Sequence, residues 1–241
     1  ALARSQLDEV GLTSRDIILI NQIIGFISFQ ARAIAAFHAA LGYPVRWIPG
    51  MPQQEDAPEA LFVARESDWQ PGLDDADLRY ADDERQSLLA NWRKHPGLFE
   101  LAPLLAAQEP PLALQEQLLT HLSDRQPFAA QVALIAARIN GSISCFNAWA
   151  SRCPDLADLT DALRGNESGV QPWGDNPSME RQLLQSVQLL TRAPDRFSAA
   201  QLTPLTDYGL SRSAAIDLLA WCGLCGWMNR LKIALGNVRQ Q

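Results

Sequence analysis

Four cysteines set the chemistry open to this chain. Cys145 lies in the run Asn140-Gly141-Ser142-Ile143-Ser144-Cys145-Phe146-Asn147-Ala148-Trp149, and Cys222 and Cys225 stand one helical turn apart in Trp221-Cys222-Gly223-Leu224-Cys225. A cysteine that ionises near neutral pH attacks a peroxide and becomes a sulfenic acid, and a second thiol within reach then closes a disulfide. If Gly141 ends one helix and Ser142 caps the next, Cys145 falls in a first turn, where unpaired N–H groups favour the thiolate. The other reading of Cys145 is a small buried apolar residue beside Trp149.

The Cys222/Cys225 pair matches the spacing of a thioredoxin site, but its setting differs. That motif follows a strand and opens a helix, whereas here it falls about ten residues into a helical pattern that starts near Ser211. The terminal N–H groups that lower a thiol pKa are absent at mid-helix, so packing is the expected role. Cys153, just before Pro154, reads as a helix end. His38, His95 and His121 are isolated and are expected at the surface or at helix ends, with no metal-ligand spacing. No glycine-rich phosphate loop and no Gly-x-Ser-x-Gly elbow occurs, so neither cofactor nor metal is expected.

The elements that position these residues read as all-α. Ile17, Ile20, Ile24, Ile27, Ala31, Ile34 and Leu41 recur by threes and fours, with Thr13 or Ser14 as cap. Further helical runs cover about 82–93, 97–107, 112–123, 126–140, 143–152, 178–191, 198–207 and 212–235. Residues 43–79, rich in proline and acid, read as a linker or as an arm that wraps the surface through Trp47, Phe62 and Trp69. The organisation expected is a helical segment 1–42, the arm 43–79 and a helical domain 80–241. An internal match at an offset of 198 pairs Gly25 with Gly223, Phe29 with Trp227 and Arg32 with Arg230. It makes the first segment the closing helix of a truncated preceding repeat.

Composition bounds the partners. The net charge is −7, and residues 51–86 hold eleven carboxylates against three arginines. Nucleic acid demands a basic face and is excluded as a partner. The longest uninterrupted apolar run, Leu218 to Met228, falls short of the ~18 residues that span a bilayer. No cationic leader is visible and cysteines are sparse, so the expectation is a cytoplasmic protein without membrane contact.

From His95-Pro96-Gly97-Leu98 through Ala136-Ala137-Arg138-Ile139-Asn140-Gly141, Thr191-Arg192-Ala193-Pro194, Gly209-Leu210-Ser211 and Asn229-Arg230-Leu231, the chain resembles the alkylhydroperoxidase-D/carboxymuconolactone decarboxylase family, in its peroxidase-related branch. The family motif is Asn-Gly-Cys-x-x-Cys-x-x-x-His with a glutamate twelve residues before the first cysteine. Here those four positions hold Ser142, Cys145, Trp149 and Ala130. The resemblance implies an all-helical fold that assembles into homo-oligomers, and thiol-dependent peroxide reduction recharged by an external thiol. Carried over residue by residue, only Cys145 keeps its role, because the alcohol of Ser142 cannot close a disulfide. If the helix of Cys222 and Cys225 packs on Cys145, either one becomes a displaced resolving thiol. The alternative is a catalytically silent relative acting as a binding or assembly module.

Overall fold

A computed structural model describes residues 9–44, 57–63, 67–73, 82–95, 97–98, 100–106, 109–123, 127–170 and 179–240. Ten α-helices run through them: α1 (Ser14–Ala40), α2 (Asp83–Trp92), α3 (Ala102–Leu105), α4 (Glu109–Ser123), α5 (Ala129–Asn140), α6 (Ile143–Arg152), α7 (Ala157–Gly165), α8 (Met179–Arg192), α9 (Ala199–Asp207) and α10 (Arg212–Leu235). The all-α expectation holds, with one addition. Strand β1 (Ser67–Pro71) pairs antiparallel with β2 (Gly236–Gln240), setting Trp69 opposite Val238. Neither strand alternates cleanly enough to be read from sequence.

Four of the helix starts are capped by residues that the chain supplies locally, among them Asp82, whose carboxylate accepts from Arg85 N–H at α2. Thr13 and Asp16 form a reciprocal box at α1, Ser198 and Gln201 repeat it at α9, and Ser211 accepts from Ala214 N–H at α10. Helix α7 was not anticipated. Its signal is short but present, since Leu159, Thr160 and Leu163 are buried, with Asp158 in the first turn and Arg164 in the last. The run expected over 97–107 reduces to the single turn of α3 among its described residues.

Helix α10 is the axis of the molecule. It packs against α1 along its length and against α5, α4 and α8 on its other sides. Its contact with α1 is reciprocal: a Cβ at Gly25 would sit 2.0 Å from the Trp227 ring, and a Cβ at Gly223 would sit 3.2 Å from the Phe29 ring. Glycine at both positions lets the two helices close on each other's aromatic side chains. The crossing is tied by polar groups as well. Gln22 and Gln115 exchange two amide hydrogen bonds of 2.9 Å, and Trp227 Nε1–H donates to Gln22 Oε1 at 3.0 Å. These buried donors and acceptors satisfy one another and fix the register of α1, α4 and α10.

The described parts of the arm wrap the domain. Phe62 is fully buried and Trp69 nearly so; Trp47 lies outside the described residues. Two arginines hold the first part. Arg138 donates to Ala57 O at 2.9 Å and stacks on Phe62, while Arg164 donates to Phe62 O at 2.9 Å. Trp69 Nε1–H donates to Lys232 O at 2.8 Å and its ring lies against Gly236.

Helix α1 is long and apolar enough to cross a membrane by length and composition. A search for uninterrupted apolar runs misses this because Asn21, Gln22, Ser28 and Gln30 break the stretch.

Candidate functional site

The site forms where α6 meets α10. Gly141 takes a left-handed conformation (φ +81°) that stops α5, and Ser142 stands at the N-cap position of α6. Cys145 therefore enters the first turn of α6, as expected. Ser142 differs from expectation in one respect: its side chain makes no cap hydrogen bond.

Cys145 and Cys225 line one small cavity of about 20 Å3, together with His95, Trp149, Trp221 and Asn229. Such a volume holds about one water-sized molecule. Its remaining walls are Leu98, Leu119, Ala133 and Met228. Trp149 and Trp221 meet edge to face across it, 6.1 Å between centroids. Asn229 is 3% exposed and its Nδ2 has no hydrogen-bond partner, which leaves one buried donor beside the thiols.

Electrostatics separate the two thiols. Burial pushes Cys145 above its ordinary value, while the Lys232 ammonium and the hydroxyls of Ser142 and Ser144 pull it back. Those two hydroxyl oxygens are buried and bond to no other group. Cys225 is pushed up much further, by burial and then by the neighbouring thiols Cys222 and Cys145. The first-turn position therefore does not yield a low thiol pKa. Desolvation of a fully enclosed sulfur outweighs the partial charge of a helix end.

Lys232 is 1% exposed, with Nζ 3.1 Å from Glu100 Oε2 and 3.8 Å from the Trp69 ring centroid. It stands two turns beyond Cys225 on α10. It also forms part of a larger polar cleft of about 350 Å3 with Glu100, Ser144, Asn147, Asp68 and Trp69. Adjacent residues of α6 thus serve two spaces, Ser144 the polar cleft and Cys145 the apolar cavity.

Cys222 is not part of this centre. Its sulfur lies 3.0 Å from Thr191 Oγ1, at the α8 side, near Arg32 and Arg230. Burial and the Arg32 charge push the Arg230 guanidinium down to about 10. Cys153 caps the C-terminus of α6 and is half-buried. All four cysteines are free thiols.

His95 corrects an expectation. It is buried rather than on the surface, three residues past α2, and it faces the thiol cavity. Little local in the sequence marks it, since apart from Leu98 its neighbours in the cavity come from α4, α5, α6 and α10. Lys232 and Asn229 were likewise missed, although their positions seven and four residues past Cys225 repeat the helical spacing that carries that cysteine inward. Among the described residues no group of three His, Cys, Asp or Glu side chains is arranged to hold a metal ion.

No family model, no curated protein and no solved structure matches the chain.

Proposed function

We propose that the chain is a divergent relative of the alkylhydroperoxidase-D family in which Cys145 and Cys225 form a rewired dithiol centre for the smallest hydroperoxides. The observation that carries this reading is the shared cavity of Cys145, Cys225 and His95. The thiol lost at Ser142 and the imidazole lost at Trp149 have counterparts there, contributed by α10 and by the segment after α2. A partial duplication also fits: both long helices open from a positive-φ glycine and a hydroxyl cap, and they meet through reciprocal Gly–aromatic contacts.

In this cycle Cys145 is the nucleophile, because Lys232 and two hydroxyls act on it in the direction that favours thiolate. The Cys145 thiolate attacks the distal oxygen of the peroxide, an S–O bond forms and the O–O bond breaks. The departing hydroxide takes up a proton, for which His95 is the nearest shuttle by position. Cys225 then attacks the sulfenic sulfur, the disulfide closes and water leaves. An external thiol pair reduces the disulfide and is itself oxidised. The volume of about 20 Å3 restricts the oxidant to hydrogen peroxide or something nearly as small.

The second reading is a silent family member serving as a binding or assembly module. Its supporting observation is the desolvation that raises Cys145 and Cys225 alike. Peptide mapping of reduced protein after a brief hydrogen peroxide pulse, with a sulfenate trap present, decides between them. The dithiol reading expects a Cys145–Cys225 disulfide, and a trapped Cys145 sulfenate in Cys225→Ser. Four unmodified thiols, at peroxide levels that oxidise a control thiol enzyme, would leave only the silent reading.

A further inference from the structure

Helix α1 is apolar on two opposite faces. One, carrying Ile18, Gly25, Arg32 and Ala36, is buried against α10. The other carries Ile20, Ile23, Ile24, Ile27, Ile34 and Phe37, which are 41–57% exposed. A helix that packs by one stripe ordinarily presents charge on the other, yet between Ile17 and Phe37 the only charged residue is Arg32, and it is buried.

The exposed stripe has a counterpart inside the molecule. At the offset of 198 that relates the two helices, these six residues correspond to Leu218, Trp221, Cys222, Cys225, Lys232 and Leu235. All six are at most 6% exposed, beneath the bundle that covers α10. The stripe on α1 is thus an interior type of surface left bare. Six half-exposed side chains leave roughly 500 Å2 of apolar surface, at the upper end of what a monomer carries, and two such faces bury about 1,000 Å2, the threshold for a specific interface.

We propose that this face pairs with the same face of a second copy of this chain, antiparallel and centred on Ile27. The spacing of the stripe is self-complementary about that residue. In an antiparallel two-fold pairing Ile27 meets its own mate, Ile20 meets Ile34, the large Ile23 meets the small Ala31, and Asp16 stands opposite His38. Ile20, Ile27, Ile34 and His38 are all exposed and Asp16 is half-exposed, so each is accessible to the mate. The stripe thereby matches apolar to apolar at Ile20/Ile34, Ile23/Ala31 and Ile27/Ile27 and acid to imidazole at both ends, with Ile24 set against the exposed amide of Gln30. A lipid surface fits less well. No lysine lies in α1, its single exposed arginine is Arg15, and Gln22 and Arg32 are bound into the protein on its far side.

This inference rests on α1 alone and is independent of the thiol reading. Sedimentation equilibrium of the full chain, across low to tens of micromolar, expects twice the 26.6 kDa monomer mass. Ile27→Glu sets two carboxylates face to face and weakens association at least about a hundredfold. Ile27→Cys, which leaves the stripe apolar, forms an interchain disulfide under mild oxidation, whereas Ile20→Cys does not. A monomer throughout that range overturns the proposal. So does a dimer indifferent to Ile27→Glu, cross-linking of Ile20→Cys as readily as Ile27→Cys, or a monomer that floats with liposomes.

Discussion

Cys145 and Cys225, eighty residues apart in sequence, open into the same cavity from two different helices. At neither thiol does the helix's partial charge decide the pKa. Both are governed by desolvation, with Lys232 from α10 and the serines of α6 acting against it at Cys145. That balance makes the reactivity of the centre depend on pH.

Because burial raises both thiols, the thiolate is the minor form of Cys145 at pH 7. Oxidation of Cys145 by hydrogen peroxide is therefore expected to accelerate nearly tenfold per pH unit from pH 7 upward, without levelling before the ordinary thiol range. Stopped-flow trapping of the sulfenate measures this. Lys232→Met removes the ammonium that favours the thiolate, so its rate at fixed pH should fall; an unchanged rate would remove Lys232 from the mechanism.

Stability also carries a signature of these buried sulfurs. Cys145, Cys222 and Cys225 have folded values above 9.0, so the native state keeps protons that the unfolded chain releases. Their contribution is intact below pH 9 and is lost as pH rises beyond it. Lys232 has the opposite sign: burial lowers it from 10.5, and stability rises with pH between its folded value and 10.5. The expected alkaline decline in Tm flattens in Cys225→Ala and steepens in Lys232→Met.

The crossing of α1 and α10 makes a separate demand. Alanine at a helical glycine ordinarily gains about 1 kcal/mol, but a Cβ at Gly25 meets Trp227 at 2.0 Å. Overpacking costs about 1–3 kcal/mol, and in a chain of this size each net 1 kcal/mol lowers Tm by about 2–4 °C. Gly25→Ala should lower Tm and Trp227→Phe should recover part of the loss, leaving behind the missing bond to Gln22. Gly165→Ala, with nothing within 4 Å of its Cβ, serves as the control in which Tm holds or rises.

The arm tests differently. Arg138 bonds Ala57 O and Leu163 O and stacks on Phe62. Arg138→Lys leaves buried carbonyls without a matching donor, at a cost of about 2–4 kcal/mol. Chymotrypsin should then cut after Phe62 well before the domain unfolds, whereas the wild-type chain, in which that ring is fully buried, should resist. Equal cleavage rates would mean that the arm is held elsewhere.

The sequence by itself determined most of the helices, α7 excepted, because their apolar spacing, hydroxyl caps and terminating glycines are local signals. The observed bounds of α6 and α10 coincide with those read from spacing alone. It also determined that Cys145 enters a first turn, since Gly141 and Ser142 lie immediately before it. What it could not determine was the sign of the pKa shift there, which depends on how much water the surrounding bundle removes. Only the tertiary structure brought Cys225 rather than Cys222 to Cys145, because a rotation of α10 by less than one turn exchanges the two. The burial of His95 and Lys232 was decided in the same way, by helices and an arm remote in sequence that enclose them. The second apolar stripe of α1 was legible as hydrophobic spacing, but only packing revealed which of its two faces α10 leaves uncovered.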